Sequence, residues 1–296
     1  MIPSGSTALS SINRPERSFQ AFGNDSAWVL GGFDKYDPGE YPYMPSMVHF
    51  NMSSRTFTNT STPATLANSG AEDNGAMHYV PSFGPQGFFV AMGGDTIQIV
   101  PGLISFNTVV VFDPAKEEWF NQSTTGSPPT SRVAFCTAGI ESTNGTYEML
   151  VERNWHCLRS RLNVRNTNQL IRFVYAGWGT MYGANAIQFD TINILTLPAF
   201  HWISVPHYPK TSLIGLSCNA VGGRQILTIG GRDGNPPGLN GSTIQWVDTY
   251  NSRDPNAQGL AIFDLTNLIW LDQYTAGAPP YEQSDPVKQF YSSAQQ

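Results

Sequence analysis

WVLGGF at residues 28–33 is the first of four stretches in which an apolar run ends in a pair of small residues. The others are FVAMGGD at 89–95, FVYAGWG at 173–179 and ILTIGGR at 226–232. One large aromatic residue follows the first small residue after 26 positions in the first three cases and after 40 in the fourth. These aromatic residues are Phe57, Trp119, Trp202 and Trp270. The shared offset predicts a chain built from four repeated units.

Each unit is predicted to contain four short strands. The second strand ends in the small pair, where a Cβ would obstruct a sharp turn and a close backbone approach. A single glycine pair is also compatible with an ordinary turn. The third strand carries a large apolar residue seven positions before the aromatic residue of the fourth, which is expected to cover the next sheet. The apolar residues are Phe50, Phe112, Leu195 and Phe263, and the predicted structural glycines are Gly31, Gly32, Gly93, Gly94, Gly177, Gly230 and Gly231.

These repeats resemble kelch repeats, the blades of a β-propeller, over nearly the whole chain. The resemblance is greatest to fungal kelch-repeat proteins related to the galactose oxidase propeller. It is carried by GAMHYVPSF at 75–83, PPTSRVAFC at 128–136, GRQILTIGG at 223–231 and the tail APPYEQSDPVKQFYSS. The resemblance implies an all-β fold, a kelch-type β-propeller with four recognisable four-stranded blades in a single domain over 1–296.

Four blades are fewer than usually close such a ring, so we expect the propeller to be incomplete at the N-terminus. A small or open ring is the alternative. SINRPERSFQAF is expected to contain the first strand of its blade, and PVKQFYSS is expected to begin another blade.

The charge of the chain argues against nucleic acid as a partner. Its net charge is −6 and only 13% of its residues are charged, whereas a phosphate-binding surface needs clustered cations. No apolar stretch is long enough to predict a membrane span, and MIPSGSTALSSINRPERSF lacks the apolar run of a signal peptide. The resemblance nevertheless implies an extracellular propeller, often followed by one membrane helix. We therefore expect a secreted or cell-surface location.

Residues 150–173 differ in composition from the rest of the chain. LVERNWHCLRSRLNVRNTNQLIRF holds five of the 16 Lys and Arg residues and contains no glycine or proline. Successive small pairs are 62, 83 and 54 positions apart, and removal of this segment reduces the spacing of 83 positions to 59. The removal would also join TYEM to VYAGWG as one continuous second strand.

Three interpretations of this insert remain open. It is a basic loop that grips an acidic glycan, a helix on the propeller rim, or a retained intron in the gene structure. The helix is weakly supported, since Leu158, Leu162 and Val164 give a poor helical pattern. We favour the intron because insertions that a fold tolerates go into loop tips rather than into strands.

The cysteines and the glycosylation sequons favour an extracellular protein. Cys136 and Cys218 occupy equivalent first-strand positions in adjacent units and are therefore candidates for a disulfide, with free buried thiols as the alternative. Cys157 lies in the insert and is left over. Six Asn-X-Ser/Thr sequons begin at Asn24, Asn51, Asn59, Asn121, Asn144 and Asn240.

The sequence predicts no catalytic residue, no metal and no cofactor. Enzymes of the galactose oxidase kind bind copper through two Tyr and two His, with one Tyr cross-linked to a Cys. No histidine here stands at ligand spacing in such a motif; the five are His49, His78, His156, His201 and His207. His78 instead occupies a first-strand position where kelch repeats often carry a structural histidine. Nucleophile, zinc and phosphate-loop motifs are absent. Asp113, Asp190 and Asp264 follow third strands and are predicted to accept backbone N–H bonds in turns.

Function is expected to reside in long loops, where repeat proteins place binding residues. The longest is RDGNPPGLNGSTIQWVDTYNSRDPNAQG at 232–259, with Trp246, Asp248, Tyr250 and Arg253 as candidate binding residues. A second loop, YDPGEYPYMPS at 36–46, is rich in Tyr and Pro. These features predict a non-enzymatic interaction module that binds an unknown protein or carbohydrate. The alternatives are an enzyme of the galactose oxidase class and a non-functional product of the insert.

We predict that mature messenger RNA lacks codons 150–173, because their removal restores both the repeat spacing and a continuous strand. Transcript sequencing across codons 149–174 measures this directly. Mature message that retains the codons would eliminate the intron interpretation and leave the loop and the helix.

Overall fold

The chain forms two compact units, residues 1–123 and 124–296, each with two antiparallel sheets of four strands or more. The computed structural model describes residues 15–32, 44, 46–62, 74–96, 102–143, 145–149, 192–205, 213–233, 254 and 256–294. We call the four large sheets blades 1 to 4 in chain order.

The first unit contains blades 1 and 2, and strand order in both follows the chain. Blade 1 consists of β1 (Phe19–Gly23), β2 (Ser26–Leu30), β3 (Ser46–Asn51) and β4 (Thr56–Ser61). Blade 2 begins with β5 (Ala76–Val80) and β6 (Phe88–Met92). After the short pair β7 (Asp95–Thr96) and β8 (Gly102–Leu103), it is completed by β9 (Thr108–Asp113) and β10 (Glu118–Ser123). A shared apolar core that includes Phe19, Trp28, Phe89 and Phe112 joins the two blades.

The second unit contains blades 3 and 4. Blade 3 consists of β12 (Gly139–Glu141), β13 (Tyr147–Met149), β14 (Ile192–Leu197) and β15 (His201–Val205), with the short parallel strand β11 (Thr125–Gly126) on its outer edge. Blade 4 consists of β17 (Ser217–Val221), β18 (Gln225–Ile229), β20 (Leu260–Asp264) and β21 (Ile269–Leu271). The strands β16 (Leu213–Ile214) and β19 (Arg232–Asp233) pair separately. Short 3-10 turns cover Gly222–Arg224 and Ala257–Gly259.

The predicted repeat is confirmed in the strand register. Each third-strand apolar residue lies directly opposite the aromatic residue of the fourth strand: Phe50 and Phe57, Phe112 and Trp119, Leu195 and Trp202, Phe263 and Trp270. The aromatic partners in three blades lie 4.5, 4.6 and 5.2 Å apart between ring centroids. The fixed sequence offset therefore reflects the same cross-strand contact, which is repeated in all four blades.

The glycine pairs end the second strands in three blades, as expected. All six glycines have positive φ, between +59° and +111°; Gly177 lies outside the described residues. Gly32 shows why no larger residue fits, because a Cβ there would lie 2.5 Å from the Glu16 carbonyl oxygen. At Gly230 the space is open, so only the backbone conformation demands glycine.

Cys136 and Cys218 form a disulfide within the second unit, with their Cα atoms 5.7 Å apart. Both cysteines are buried in an apolar cluster that includes Ile194, Ile226 and Phe263. The pairing predicted from their equivalent positions is therefore present. It joins the residues leading into β12 to the first strand of blade 4.

The expectation that PVKQFYSS begins a further blade is wrong. The segment forms the helix α1 (Asp285–Ser293), in which Pro286 occupies the first turn, where its missing N–H costs nothing. Val287, Phe290 and Tyr291 share one helical face by their spacing. Val287 is fully buried in the core of the second unit, and the Tyr291 hydroxyl lies 3.0 Å from the Thr196 hydroxyl. Tertiary packing of this short apolar stripe selects the helix over a strand.

The expected first strand of blade 1 is confirmed as β1, which begins at Phe19. TYEM likewise supplies the second strand of blade 3, since β13 lies between β12 and β14. Residues 150–191 lie outside the described residues, so each interpretation of the insert stays a prediction.

We predict that Gly32→Ala destabilises the first unit more than Gly84→Ala does. Both glycines have positive φ, +87° and +76°, and an L-residue there costs about 1–2 kcal/mol. The nearest atom to a Cβ at Gly84 is 3.9 Å away, whereas at Gly32 the Glu16 carbonyl must also shift. Denaturant unfolding of both variants tests this; equal losses would show that backbone approach at Gly32 is unimportant.

Candidate functional site

The first unit contains a cleft of about 960 Å³ that opens to solvent between the outer strands of blades 1 and 2. Blade 1 lines it from β2, β3, β4 and the residue that follows β4. Blade 2 lines it from the ends of β9 and β10 and the turn that joins them. The lining residues are Trp28, Met47, His49, Thr58, Thr60, Thr62, Phe112, Glu117, Glu118, Trp119 and Phe120.

The blade 1 wall combines a stacked aromatic pair with a row of hydroxyls. Trp28, His49 and Thr58 lie side by side across three paired strands. The indole and imidazole rings stack with centroids 3.8 Å apart and an interplanar angle of 7°. Alternate residues of a strand point to one face, so Thr58 and Thr60 present their hydroxyls on the same side. This wall offers apolar rings at depth and hydrogen-bonding groups near solvent.

The blade 2 wall is aromatic at its base and acidic at its rim. The Phe112 ring lies edge-on to Trp28, with 5.3 Å between centroids. Phe120 is 45% exposed, so its ring presents apolar surface to solvent beside the cleft. Glu117 and Glu118 are exposed. Among the described residues, neither carboxylate forms an ion pair.

His49 is the titratable group in the interior of the cleft. Burial lowers its pKa, and the nearby Glu117 carboxylate opposes that shift without cancelling it. Its Nε2 atom lies 2.9 Å from the Ser26 hydroxyl, and its Nδ1 atom lies 3.4 Å from the Thr58 hydroxyl. The Ser26–His49 contact is of the kind that activates a nucleophile. However, Ser26 is only 5% exposed, and a hydroxyl instead of a carboxylate faces Nδ1.

The described lining of the cleft provides several groups that are suited to binding a ligand. Stacked rings provide apolar contact area, the threonines provide donors and acceptors, and the two glutamates attract positive charge. No group of three His, Cys, Asp or Glu side chains is placed to hold a metal ion within the described ranges.

The other described histidines do not gather into a common site. His78 is buried in β5. His201 stacks on Phe290 of α1 at 3.9 Å between centroids, and its Nδ1 lies 2.9 Å from the Thr125 hydroxyl. Burial lowers the pKa of His201 as well. Contacts of this kind serve packing of the second unit; His156 and His207 lie outside the described residues.

The predicted turn carboxylates are confirmed where the structure describes them. Asp113 accepts a hydrogen bond from the Ala115 N–H at 2.9 Å, and Asp264 accepts one from the Asn267 N–H at 2.9 Å. Asp264 also forms a 2.8 Å ion pair with Arg224. Asp190 lies outside the described residues.

The predicted binding loops fall mostly on residues that the structure does not describe. Residues 36–43, 45 and 234–253 lie outside the described residues, and these ranges include Trp246, Asp248, Tyr250 and Arg253. Their binding role stays a prediction.

Four of the sequon asparagines are described, and three of them are exposed: Asn24, Asn59 and Asn121. Asn51 is half-buried, and its side-chain oxygen accepts the Ser54 N–H at 2.8 Å. Asn144 and Asn240 lie outside the described residues, and glycosylation of all six stays a prediction.

Sequence reasoning missed the cleft, although one signal for it was present. The run TFTNTST places a hydroxyl residue at every second position from Thr56 to Thr62. Hydroxyl residues at alternate positions of a fourth strand indicate that one face of the strand is polar, although the repeat predicts burial there. The facing residues of blade 2 lie about 60 positions away in the sequence, and only the packed fold brings them opposite.

We predict that the first unit loses stability in acid because of His49. Its lowered pKa means that the unfolded state binds more protons below about pH 6.5. The free energy of unfolding is therefore unaffected by His49 above that pH, and it decreases as the pH falls towards the lowered pKa of His49. Denaturation between pH 8 and 5 (roughly the histidine range) should show His49→Gln gaining stability relative to the parent in acid. A difference that is independent of pH would contradict this.

The comparisons with known proteins concern the repeat and the fold. The chain is 24% identical over 206 residues to a kelch repeat-containing protein of Arthroderma benhamiae, covering 69% of this chain and 25% of the relative. It thus spans about a quarter of the length of this curated relative. The solved structure of YjhT matches with a TM-score of 0.53 over 91% of this chain and 68% of that chain, at 12% identity. No protein-family model matches the chain.

At 12% identity the structural match establishes the fold alone, and the curated relative supplies the repeat type. Together with the four sheets and their shared register, they confirm the predicted resemblance to kelch-repeat proteins, and the chain has a kelch-type β-propeller fold.

Proposed function

We propose that the chain is a non-enzymatic interaction module that binds a protein or carbohydrate partner. The cleft of the first unit carries the proposal, because it joins exposed aromatic surface to hydroxyl and carboxylate groups. Binding sites typically combine apolar walls with a few polar groups that fix orientation. The kelch propeller fold supports protein binding in particular.

We also propose the long loops as binding segments, separately from the cleft. Residues 234–253 and 36–43 contain aromatic, acidic and basic side chains of the types that anchor interfaces. Residues 234–253 lie in the stretch that lengthens the offset of the fourth unit from 26 to 40, and insertions between repeated elements are the usual place for partner recognition.

We propose a secreted or cell-surface location. Two observations support it: the Cys136–Cys218 disulfide, which is typical of oxidising compartments, and sequons at three exposed asparagines. Within the described part of the chain no helix is long and apolar enough to cross a membrane.

We predict saturable binding of the purified chain to members of an oligosaccharide array or a peptide array. Phe120→Ala should weaken any ligand held in the cleft by about threefold to tenfold, since an exposed ring contributes contact area without supporting the core. Tyr274→Ala, which removes an exposed ring from the second unit, is the matched control.

Two outcomes would contradict the proposed function. One is a folded chain that binds nothing saturably on either array. The other is stoichiometric copper in protein grown with the metal, accompanied by oxidation of a primary alcohol, which would identify an enzyme of the galactose oxidase class.

A further inference from the structure

Strand β4 lies at the edge of blade 1 among the described strands, where it pairs with β3 alone. The outer strands β10 and β21 of blades 2 and 4 are described edges too, whereas β15 of blade 3 is covered by β11. An outer strand offers alternate backbone N–H and C=O groups to any further strand. Proteins usually protect such an edge with charge or proline, and TFTNTS has neither. The edge is therefore chemically open to pairing.

The cleft lies along this open edge. Thr58 and Thr60 belong to β4 and line the cleft, while Asn59 points to the opposite face by strand alternation. A strand that paired with β4 would place every second side chain on the cleft side. A glycan on Asn59 would lie on the other face. The site thus has both a backbone template and a space for alternate side chains.

The charge of the cleft favours a cationic occupant. Among the described residues, its lining includes Glu117 and Glu118 but no lysine or arginine. The ring of Phe120 already lies 5.9 Å from the Lys116 ammonium, a distance within reach of cation–π attraction. A lysine or arginine side chain entering the cleft would meet the two exposed carboxylates and the aromatic rings of Trp119 and Phe120. A neutral sugar would use neither the carboxylate charge nor the backbone edge.

We propose that the cleft binds an extended peptide segment with lysine or arginine at alternate positions, which adds to β4 as a fifth strand of blade 1. This inference rests on the proposed function and specifies the partner's chemistry. Backbone hydrogen bonds to β4 hold the segment, and its basic side chains select it through Glu117 and Glu118.

The first test measures binding of a fluorescent peptide of alternating lysine and valine to the full chain by anisotropy. A peptide with glutamate in place of lysine is the comparison. We expect saturable binding of the lysine peptide alone, with an affinity that falls as salt rises. Equal binding of both peptides, or no binding of the lysine peptide, would overturn the inference.

The second test uses charge-matched variants. Glu117→Gln with Glu118→Gln should weaken the lysine peptide about threefold to tenfold, the range expected for two exposed ion pairs. Asp272→Asn with Glu282→Gln removes the same charge from exposed positions of the second unit and should leave affinity unchanged. An equal loss of affinity in both double variants would show that only the net charge of the chain matters, and it would overturn the proposed site.

The third test separates strand addition from simple charge attraction without altering the protein. Backbone N-methylation of every second peptide residue blocks one edge of the peptide only. One of the two alternate methylation patterns should abolish binding and the other should spare it. If both patterns bind equally well, the segment does not pair with β4.

An oligosaccharide that binds saturably with no effect of salt or of the Glu117 and Glu118 changes, while the lysine peptide fails to bind, would overturn the inference. That result would still support the proposed binding function, so the two failures are distinguishable.

Discussion

The contact between the third-strand apolar residue and the fourth-strand aromatic residue organises each blade of this protein. Phe112 and Trp119 face each other across one antiparallel pair, and Phe263 and Trp270 do so in another blade. The contact needs a fixed number of residues between its members because a short turn joins the two strands. The turn carboxylates Asp113 and Asp264 hold that turn by accepting backbone N–H bonds. Register, turn and burial are thereby specified by the same short stretch of sequence.

Positive-φ glycines complete this unit at its other end. After β2, β6 and β18 the chain turns through two left-handed residues, which only glycine adopts at little cost. The close approach at Gly32 shows that neighbouring backbone also uses the missing side chain. Glycine turns and aromatic contacts together fix the blade, and they leave other strand positions free to vary. In blade 1 such positions on β4 carry threonines, which line the cleft opposite blade 2.

The same reasoning explains the error at the C-terminal segment. PVKQFYSS lies at the position where a further strand was expected, yet it contains a helix-compatible stripe of Val287, Phe290 and Tyr291. Eight or nine residues give too short a pattern for periodicity to separate a helix from a strand. The burial of Val287 and the contact of Tyr291 with Thr196 are long-range, so the local sequence alone does not specify the helix.

The sequence by itself determined the repeat, the four strands of each unit and the glycine turns, and it identified Cys136 and Cys218 as the candidates for a disulfide. It could do so because each of these depends on spacing along one chain segment or on equivalence between repeats. Only the tertiary structure decided where a ligand can enter. His49 and Glu117 belong to different blades, and their proximity depends on how two sheets pack, which no local pattern encodes. The edge position of β4 among the described strands was likewise decided by the fold, because the pairing between strands determines which of them lies at the edge of a sheet.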